Sequence, residues 1–244
     1  MDLYSRNEMN ESYINNMSQQ GVIIIKNIFN TNTIANLMIE INKVRQTVMA
    51  KVSKMERPLK TYSDIAERHP GRLDYRCGFK ADIFNETAEP IIEVIKKLSP
   101  DIDFHHYWGV IPTESGAGPT DLHRDVYPIL NKMEGQNLSA PDVLLPPYYF
   151  TVLIPLVEIT KENGPTEFVK GSHLEQAVDE HSAEIFSPLL QPGDVVIFDG
   201  RTLHRGTLNQ SKQEKLIAYM TFIANWYHDQ TFTINNYLFP ELAY

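Results

Sequence analysis

The apolar positions of the first hundred residues predict a strand followed by helices. Gly21–Lys26 is a compact β-branched run, typical of a buried strand. From Ile34 to Val48 the apolar residues recur with helical spacing. A second helix is predicted over Thr87–Leu98, with Pro90 in its first turn. Residues 54–82, between these helices, are rich in charge, Pro and Gly without clear periodicity. Most of these charges are expected to be solvated, although a long irregular segment inside a domain is often a lid or a binding loop.

After residue 100 the pattern changes to short apolar runs separated by turn signals, which predicts strands. These strands are Phe104–Pro112, Tyr148–Val157, Thr166–Val169, 194–199 and 215–224, with a further extended segment at Thr120–Val126 and a long connection over 128–147. Helices followed by many short strands predict a mainly β chain with flanking helices, built on an antiparallel sandwich or barrel. No repeat or linker divides the sequence, so we predict one domain over residues 1–244.

Composition narrows the functional classes. The formal net charge of −9 disfavours a nucleic-acid-binding protein, and no apolar run is long enough for a membrane span. The N-terminal residues are too polar for a secretory signal. Cys77 is the one cysteine, so no intramolecular disulfide can form, and we expect a buried thiol in a reducing compartment. The chain is therefore predicted to be cytoplasmic.

Two histidines and an aspartate form a candidate metal site. His123 and Asp125 are two residues apart in an extended segment, so their side chains project to the same side. His204 follows the turn after the strand at 194–199, where Asp199 and Arg201 can pair and orient the turn. Two imidazoles and one carboxylate can hold Fe(II) and leave positions open for a cosubstrate and O₂. Zinc with a bound water is a second possibility for the same ligands.

Lys215 is a candidate partner for an anionic cosubstrate. It lies eleven residues after His204, at the start of the next predicted strand. A site that binds a ketoacid through a metal needs a cation for the far carboxylate, and in a partly shielded site such a pair at about 4 Å is worth roughly 4 kcal/mol of gross attraction. The alternative is a solvated lysine at a strand end.

Several segments, in order along the chain, resemble the phytanoyl-CoA dioxygenase-like (PhyH) family of Fe(II)/2-oxoglutarate-dependent oxygenases. Together they cover most of residues 20–232, and the ordered set is far more specific than any one segment. The segments are QQGVIIIKNIF, GVIPTESGAGPTDLHRDVYPIL, EITKENGPTEFVKGSH, GDVVIFDGRTLHRGTLNQS and, at 226–232, WYHDQTF.

This resemblance implies a double-stranded β-helix (a cupin-like jelly roll) with helices packed outside. It implies His123, Asp125 and His204 as iron ligands, with 2-oxoglutarate and O₂ as cosubstrates. The family usually has an arginine about eleven residues after the distal histidine, where this chain has Lys215. Lysine keeps the charge but lacks the two-pronged guanidinium geometry. Ser211 and Thr151 are further candidates for binding the same carboxylate.

We therefore predict an oxygenase that hydroxylates a C–H bond of a small-molecule metabolite, with release of succinate and CO₂. Arg72, Arg76 and Arg205 are candidate substrate contacts, and either Lys212 or Arg205 could replace Lys215 as the cation for the cosubstrate. Desaturation or oxidative cyclisation remains open, since both begin with the same hydrogen abstraction. A non-catalytic jelly roll that binds an oxoacid is a second class, and a zinc hydrolase on the same ligands is a third.

Overall fold

The computed structural model describes residues 3–5, 11–56, 59, 62–126, 129, 145–174, 183–229 and 237–242. The helices in these ranges are α1 (Glu11–Gln20), α2 (Thr31–Val52) and α3 (Asp82–Leu98). The strands are β1 (Leu3–Ser5), β2 (Val22–Lys26), β3 (Ile65–His69), β4 (Arg72–Tyr75), β5 (Phe104–Thr113), β6 (Tyr149–Pro155), β7 (Thr166–Val169), β8 (Ile185–Phe186), β9 (Val195–Asp199), β10 (His204–Gly206) and β11 (Lys215–Ala224).

The strands form one large and one small sheet. The large sheet has the order β1-β2-β9-β6-β11-β5-β4-β3, and the small sheet has the order β10-β7-β8. All pairs are antiparallel except β1 with β2. The predicted mainly β architecture with flanking helices is therefore confirmed. Neighbouring strands in the sheet are often distant in sequence, so residues from many parts of the chain meet on one face.

Strand β11 shows how the two faces of the large sheet differ. Its ten residues are all buried, and successive side chains alternate between the faces. Leu216, Ala218 and Met220 join the hydrophobic core on the helix side. Lys215 and Tyr219 point to the opposite side, into a cavity that the small sheet also lines. One strand thus contributes both to the core and to the cavity.

The helices cover the outer face of the large sheet. The buried side of α2 includes Ile34, Leu37 and Ile41, which pack in the same core as the even-numbered residues of β11. The helix begins after Asn30, whose side chain accepts a hydrogen bond of 2.9 Å from the Thr33 amide. The predicted helical spacing is confirmed, and capping by Asn30 explains where the helix starts. Among the described residues, no helix combines the length and apolar character required to cross a membrane.

Helix α3 begins earlier than predicted. It starts at Asp82 rather than Thr87, and Pro90 lies inside it rather than in its first turn. Phe84 and Thr87 are buried and extend the apolar face of the helix by one turn towards its N-terminus. Packing of this face offsets the backbone hydrogen bond that a proline cannot donate.

Residues 54–82, predicted to be an irregular lid or binding loop, contain the hairpin of β3 and β4. The register of this hairpin shifts between Glu67 and His69. The extended segment Thr120–Val126 forms no strand, although His123 makes an isolated bridge to His204. Much of the predicted connection 128–147, and residues 230–232 of the C-terminal motif, lie outside the described residues.

Candidate metal centre

His123 and His204 are brought together by backbone pairing. The amide of His123 donates to the carbonyl of His204 at 3.0 Å, and the reverse bond is 2.9 Å. The two imidazole rings lie 4.4 Å apart between centroids. His204 is the first residue of β10, so pairing of β10 with β7 fixes its place in the small sheet. The two predicted histidines therefore meet as the sequence suggested.

Each imidazole has one nitrogen engaged with the backbone. Nδ1 of His123 lies 2.7 Å from the carbonyl of Asp121, and Nδ1 of His204 lies 3.0 Å from the carbonyl of Thr202. A carbonyl oxygen only accepts, so Nδ1 carries the hydrogen in both rings. Burial lowers the pKa of His204, which favours the neutral ring. The Nε2 lone pairs are thus available to a metal ion.

Asp125 completes the set. Its backbone amide donates to the carbonyl of Gly200 at 2.9 Å, and its Oδ2 accepts a hydrogen bond of 2.5 Å from the hydroxyl of Thr151. Its Oδ1 lies 3.6 Å from Nε2 of His204. One ligand atom from each of His123, Asp125 and His204 lies within 4.8 Å of the others. Two oriented imidazoles and one carboxylate suit Fe(II) with open coordination positions.

The turn before His204 is rigidly held. Asp199 accepts from the backbone amide of Arg201 at 2.9 Å and from its guanidinium at 2.6 and 2.9 Å. The predicted pairing of these residues is confirmed. Gly200 allows the close approach of the neighbouring strand, because a Cβ atom there would lie 2.5 Å from Cδ1 of Tyr149. This approach lets the Gly200 carbonyl reach the amide of Asp125.

The three candidate ligands open into a cavity of about 410 Å³. This volume is within the range of small-molecule sites, about 300–1,000 Å³. Lys215 and Arg72 line the same cavity, as do Thr113 and Arg76. Metal-binding and cationic side chains therefore share one space.

Lys215 is a buried cation. Its side chain donates to the carbonyl of Gly164, and the residue is only 2% exposed. Burial, together with the positive charge of Arg72, lowers the pKa of Lys215 to about 7. The alternative of a solvated lysine is wrong. Lys215 is held in the cavity, where it can meet an anionic ligand.

A buried carboxylate organises another part of the cavity wall. Asp74 accepts hydrogen bonds from the hydroxyl of Tyr219 at 2.8 Å and from Nε of Arg68 at 2.9 Å. Burial alone would raise the pKa of Asp74, but Arg76 and Arg68 together lower it. Asp74 is therefore ionised, and Arg76 lies beside it with Nε at 3.8 Å.

Sequence reasoning missed Arg68 and Tyr219. Tyr219 could have been found from the alternation of β11, because it has the same parity as Lys215. Arg68 lies beside the register shift in β3, where alternation is interrupted, so the sequence carries no comparable signal for it.

Three other predicted residues have different surroundings. The Ser211 hydroxyl bonds to Asn209 at 2.7 Å and to the Gln213 carbonyl at 2.9 Å. Arg205 pairs with Glu167 at 2.7 Å. Within the described ranges, neither Ser211 nor Arg205 lines the cavity. Thr151 does line it, but its hydroxyl is directed to Asp125 rather than to the Lys215 end of the cavity.

Comparisons with known proteins agree with this geometry. The sequence profile of the family described as "Phytanoyl-CoA dioxygenase (PhyH)" matches residues 17–217. The chain belongs to the phytanoyl-CoA dioxygenase family. It is thereby placed among the Fe(II)- and 2-oxoglutarate-dependent oxygenases, and the predicted family, enzyme class and cofactors are confirmed.

The individual relatives that align over most of this chain share low sequence identity with it. Dioxygenase trt7 of Aspergillus terreus is 26% identical over 85% of this chain and 71% of its own length. Another curated dioxygenase matches over only 23% of its length. Among solved structures, the epimerase SnoN, in complex with Fe³⁺, alpha ketoglutarate and nogalamycin RO, has a TM-score of 0.66 at 15% identity over 87% of this chain and 82% of that one. The carbocyclase SnoK, from nogalamycin biosynthesis, has a TM-score of 0.66 at 16% identity over 91% and 87%. The jelly-roll fold is confirmed.

Replacement of Thr151 by valine tests what its hydroxyl does. Loss of a hydrogen-bond partner of a metal ligand typically costs about 10–100-fold in metal affinity or activity, so we expect Thr151→Val to weaken Fe(II) binding within that range. Anaerobic Fe(II) titration measures the effect, with Thr47→Val on the exposed side of α2 as the control. Unchanged iron affinity with weakened 2-oxoglutarate binding would instead support the cosubstrate role suggested by the sequence.

Proposed function

We propose that this protein hydroxylates a C–H bond of a small-molecule metabolite, with 2-oxoglutarate and O₂ as cosubstrates and succinate and CO₂ as products. The observation that carries this proposal is one cavity with His123, Asp125 and His204 on its wall together with the buried cation Lys215. Iron, when bound, supplies the oxidative chemistry, which no side chain can supply.

The residues of the chain bind and orient the reactants. His123, Asp125 and His204 would hold the iron, and the backbone bonds to both histidine rings keep the imidazoles in the orientation that binding needs. Lys215 would receive the distal carboxylate of 2-oxoglutarate. His204 and Lys215 are buried, whereas His123 is exposed, so the cavity is open to solvent beside the candidate metal ligands.

The charges of the cavity support a small substrate with an acidic group. Arg68 lines the cavity and its side chain is 47% exposed, so it remains accessible to a ligand beside its contact with Asp74. Arg76 is also in the wall, although it is buried against Asp74. Asp74 balances one of these two cations and Asp121 also lines the cavity, but the accessible guanidinium of Arg68 can still contact an acidic group of the substrate.

Oxidative cyclisation is the second candidate function. The solved relative SnoK is described as a carbocyclase, and hydroxylation and ring closure share their first step. Product analysis distinguishes the two outcomes, because hydroxylation adds an oxygen atom to the substrate and ring closure removes two hydrogens.

Anaerobic absorption spectroscopy tests the proposed function. The purified protein is titrated with Fe(II) and then with 2-oxoglutarate. We expect a broad visible charge-transfer band that requires both, because the ketoacid chelates the bound iron. An iron-loaded protein that gives no band at millimolar 2-oxoglutarate would contradict the proposal. Succinate formation in air would then separate an enzyme from a protein that only binds the ketoacid.

We propose a cytoplasmic site of action. Cys77 is buried, and burial raises the pKa of its thiol to about 12, so it is protonated and unreactive at neutral pH. With no second cysteine in the sequence, the protein needs no oxidising compartment to fold.

A further inference from the structure

Two buried cations lie in the cavity without an acidic partner among the residues that the structure describes. Arg72 is 4% exposed and Lys215 is 2% exposed. Arg72 donates to the carbonyl of Gly118 at 3.0 Å, to the hydroxyl of Thr113 at 3.3 Å and to the carbonyl of Thr207. All these acceptors are neutral, as is the Gly164 carbonyl that receives the Lys215 bond. No carboxylate of the described residues forms an ion pair with either cation.

The two cations occupy the same end of the cavity. Thr113 of β5 is the register partner of Arg72 on one side and of Lys215 on the other. Their backbone acceptors also adjoin, because a Cβ atom on Gly164 would lie 2.6 Å from the carbonyl oxygen of Thr207. Two like charges buried at one end of a cavity destabilise the protein unless an anion joins them or the lysine releases its proton.

We propose that Arg72 and Lys215 form a two-cation clamp that binds the distal carboxylate of 2-oxoglutarate. This inference rests on the proposed function and adds a cosubstrate-binding residue from a different strand. Lys215 is a point charge, whereas Arg72 offers a planar fork that can pair with both carboxylate oxygens. Arg72 on β4 thus supplies the guanidinium that β11 lacks. The sequence suggested a substrate contact for Arg72, but its position beside Lys215 favours the cosubstrate.

Arg72 differs from the neighbouring arginines in the charge of its partners. Arg68 and Arg76 both lie against Asp74, which neutralises part of their charge. Arg72 has a different environment, because its hydrogen-bond acceptors are neutral and it lies close enough to the cation Lys215 to lower the pKa of that lysine. An incoming carboxylate therefore gains more from Arg72 than from an arginine that is already paired.

Gly206 makes room for the clamp. A Cβ atom on Gly206 would lie 2.6 Å from Nη1 of Arg72, so any larger residue displaces the guanidinium. The displaced atoms are the far end of a flexible side chain, and the fold can tolerate this shift. Gly206→Ala therefore moves the charge of Arg72 without removing it.

The test compares two ketoacids of equal chain length. 2-Oxoglutarate and 2-oxopentanoate share the chelating end, but only the first has a distal carboxylate. Their dissociation constants are measured from the charge-transfer band of the anaerobic Fe(II) protein. Arg72→Gln should raise the constant for 2-oxoglutarate by about 30-fold or more, the effect typical of breaking a buried charge pair, and change that for 2-oxopentanoate less than twofold. Gly206→Ala should act in the same direction with a smaller factor.

Arg45→Gln is the matched control, because Arg45 lies on α2 and pairs with Glu214 at 2.5 Å. It should leave both constants unchanged. Equal effects of Arg72→Gln on the two ketoacids, or no effect on either, would overturn the clamp. If Arg72→Gln does not fold, Gly206→Ala decides the question by the same comparison.

A second readout separates failure of the clamp from failure of the proposed function. Glutarate has no ketoacid end, so its binding to the metal-free protein reports on the carboxylate site alone. We expect millimolar glutarate to raise the melting temperature of the wild type but not of Arg72→Gln. If iron and 2-oxoglutarate give no band but this shift occurs, the clamp stands and the oxygenase proposal fails. If the wild type gives the band and Arg72→Gln leaves the 2-oxoglutarate dissociation constant unaltered, only the clamp proposal fails.

Discussion

Asp125→Ala should abolish iron binding and, with it, all oxidation by this protein. Asp125 is the carboxylate of the candidate set, with Oδ1 3.6 Å from Nε2 of His204. Its loss leaves two neutral imidazoles with no negative ligand to offset the charge of the metal. The loss in affinity should exceed the roughly 10–100-fold that follows from removing a mere hydrogen-bond partner of a ligand. Iron content after anaerobic loading and desalting measures binding, and succinate formation measures turnover.

The control for this variant is Asp101→Ala, the same change at an exposed position beyond the end of α3. It should load iron and form succinate as the wild type does. If Asp125→Ala instead retains one iron per chain with wild-type affinity, the metal is bound by a different set of residues. The geometry of His123 and His204 would then need another explanation.

The sequence predicts best those elements whose pattern reflects packing. The helical spacing from Ile34 to Val48 and the apolar run at 215–224 both face the main core, and both elements form as predicted. In α2 the hydrophobic period equals the helical period, whereas β11 is a continuous run because both of its faces are buried. The predicted start of α3 is wrong because a proline favours the first turn of a helix, whereas the buried face around Phe84 continues this helix N-terminal to Pro90.

The prediction from apolar periodicity failed in a segment whose cavity-facing side chains are charged. In the hairpin of β3 and β4, the residues Arg72, Asp74 and Arg76 face the cavity, while Leu73 and Tyr75 join the core. The segment alternates as a strand should, but the side chains on the face towards the cavity are charged. A search for alternating apolar residues therefore fails to detect this strand. The same charged alternation, read as a strand beside a polar cavity, could have placed Arg72 and Arg76 together.

The candidate metal ligands were predictable because His123 and Asp125 are two residues apart and the ordered family pattern points to His204 in a later segment. The partnership of Arg72 with Lys215 was not, because it depends on β4 and β11 both pairing with β5. The role of Gly206 likewise cannot be predicted from the sequence, because it depends on the position of the Arg72 guanidinium beside it. The net charge of −9 also conceals the cationic cavity, since composition averages over the whole surface.

Lys215→Ala should weaken 2-oxoglutarate binding by about 10²–10³-fold, with little change in Fe(II) affinity. The variant removes one partner of a buried charge pair in the complex, and such truncations typically cost about 2–5 kcal/mol. The candidate iron ligands retain their backbone and hydroxyl contacts, since none of these involves Lys215. Titration of the anaerobic Fe(II) protein, followed through its charge-transfer band, gives both constants. Lys212→Ala, an exposed lysine in the preceding loop, is the matched control.

The same residue should make cosubstrate binding depend on pH. Burial and Arg72 lower the pKa of Lys215 to about 7 in the free protein, so the ammonium is present below pH 7 and is lost as pH rises. A bound carboxylate favours the ammonium and raises its pKa in the complex, so binding takes up a proton above pH 7. The dissociation constant should be flat below pH 7 and rise by up to about tenfold per pH unit above it. Lys215→Ala should abolish this slope, whereas a slope that survives in the variant would assign the titration to another group.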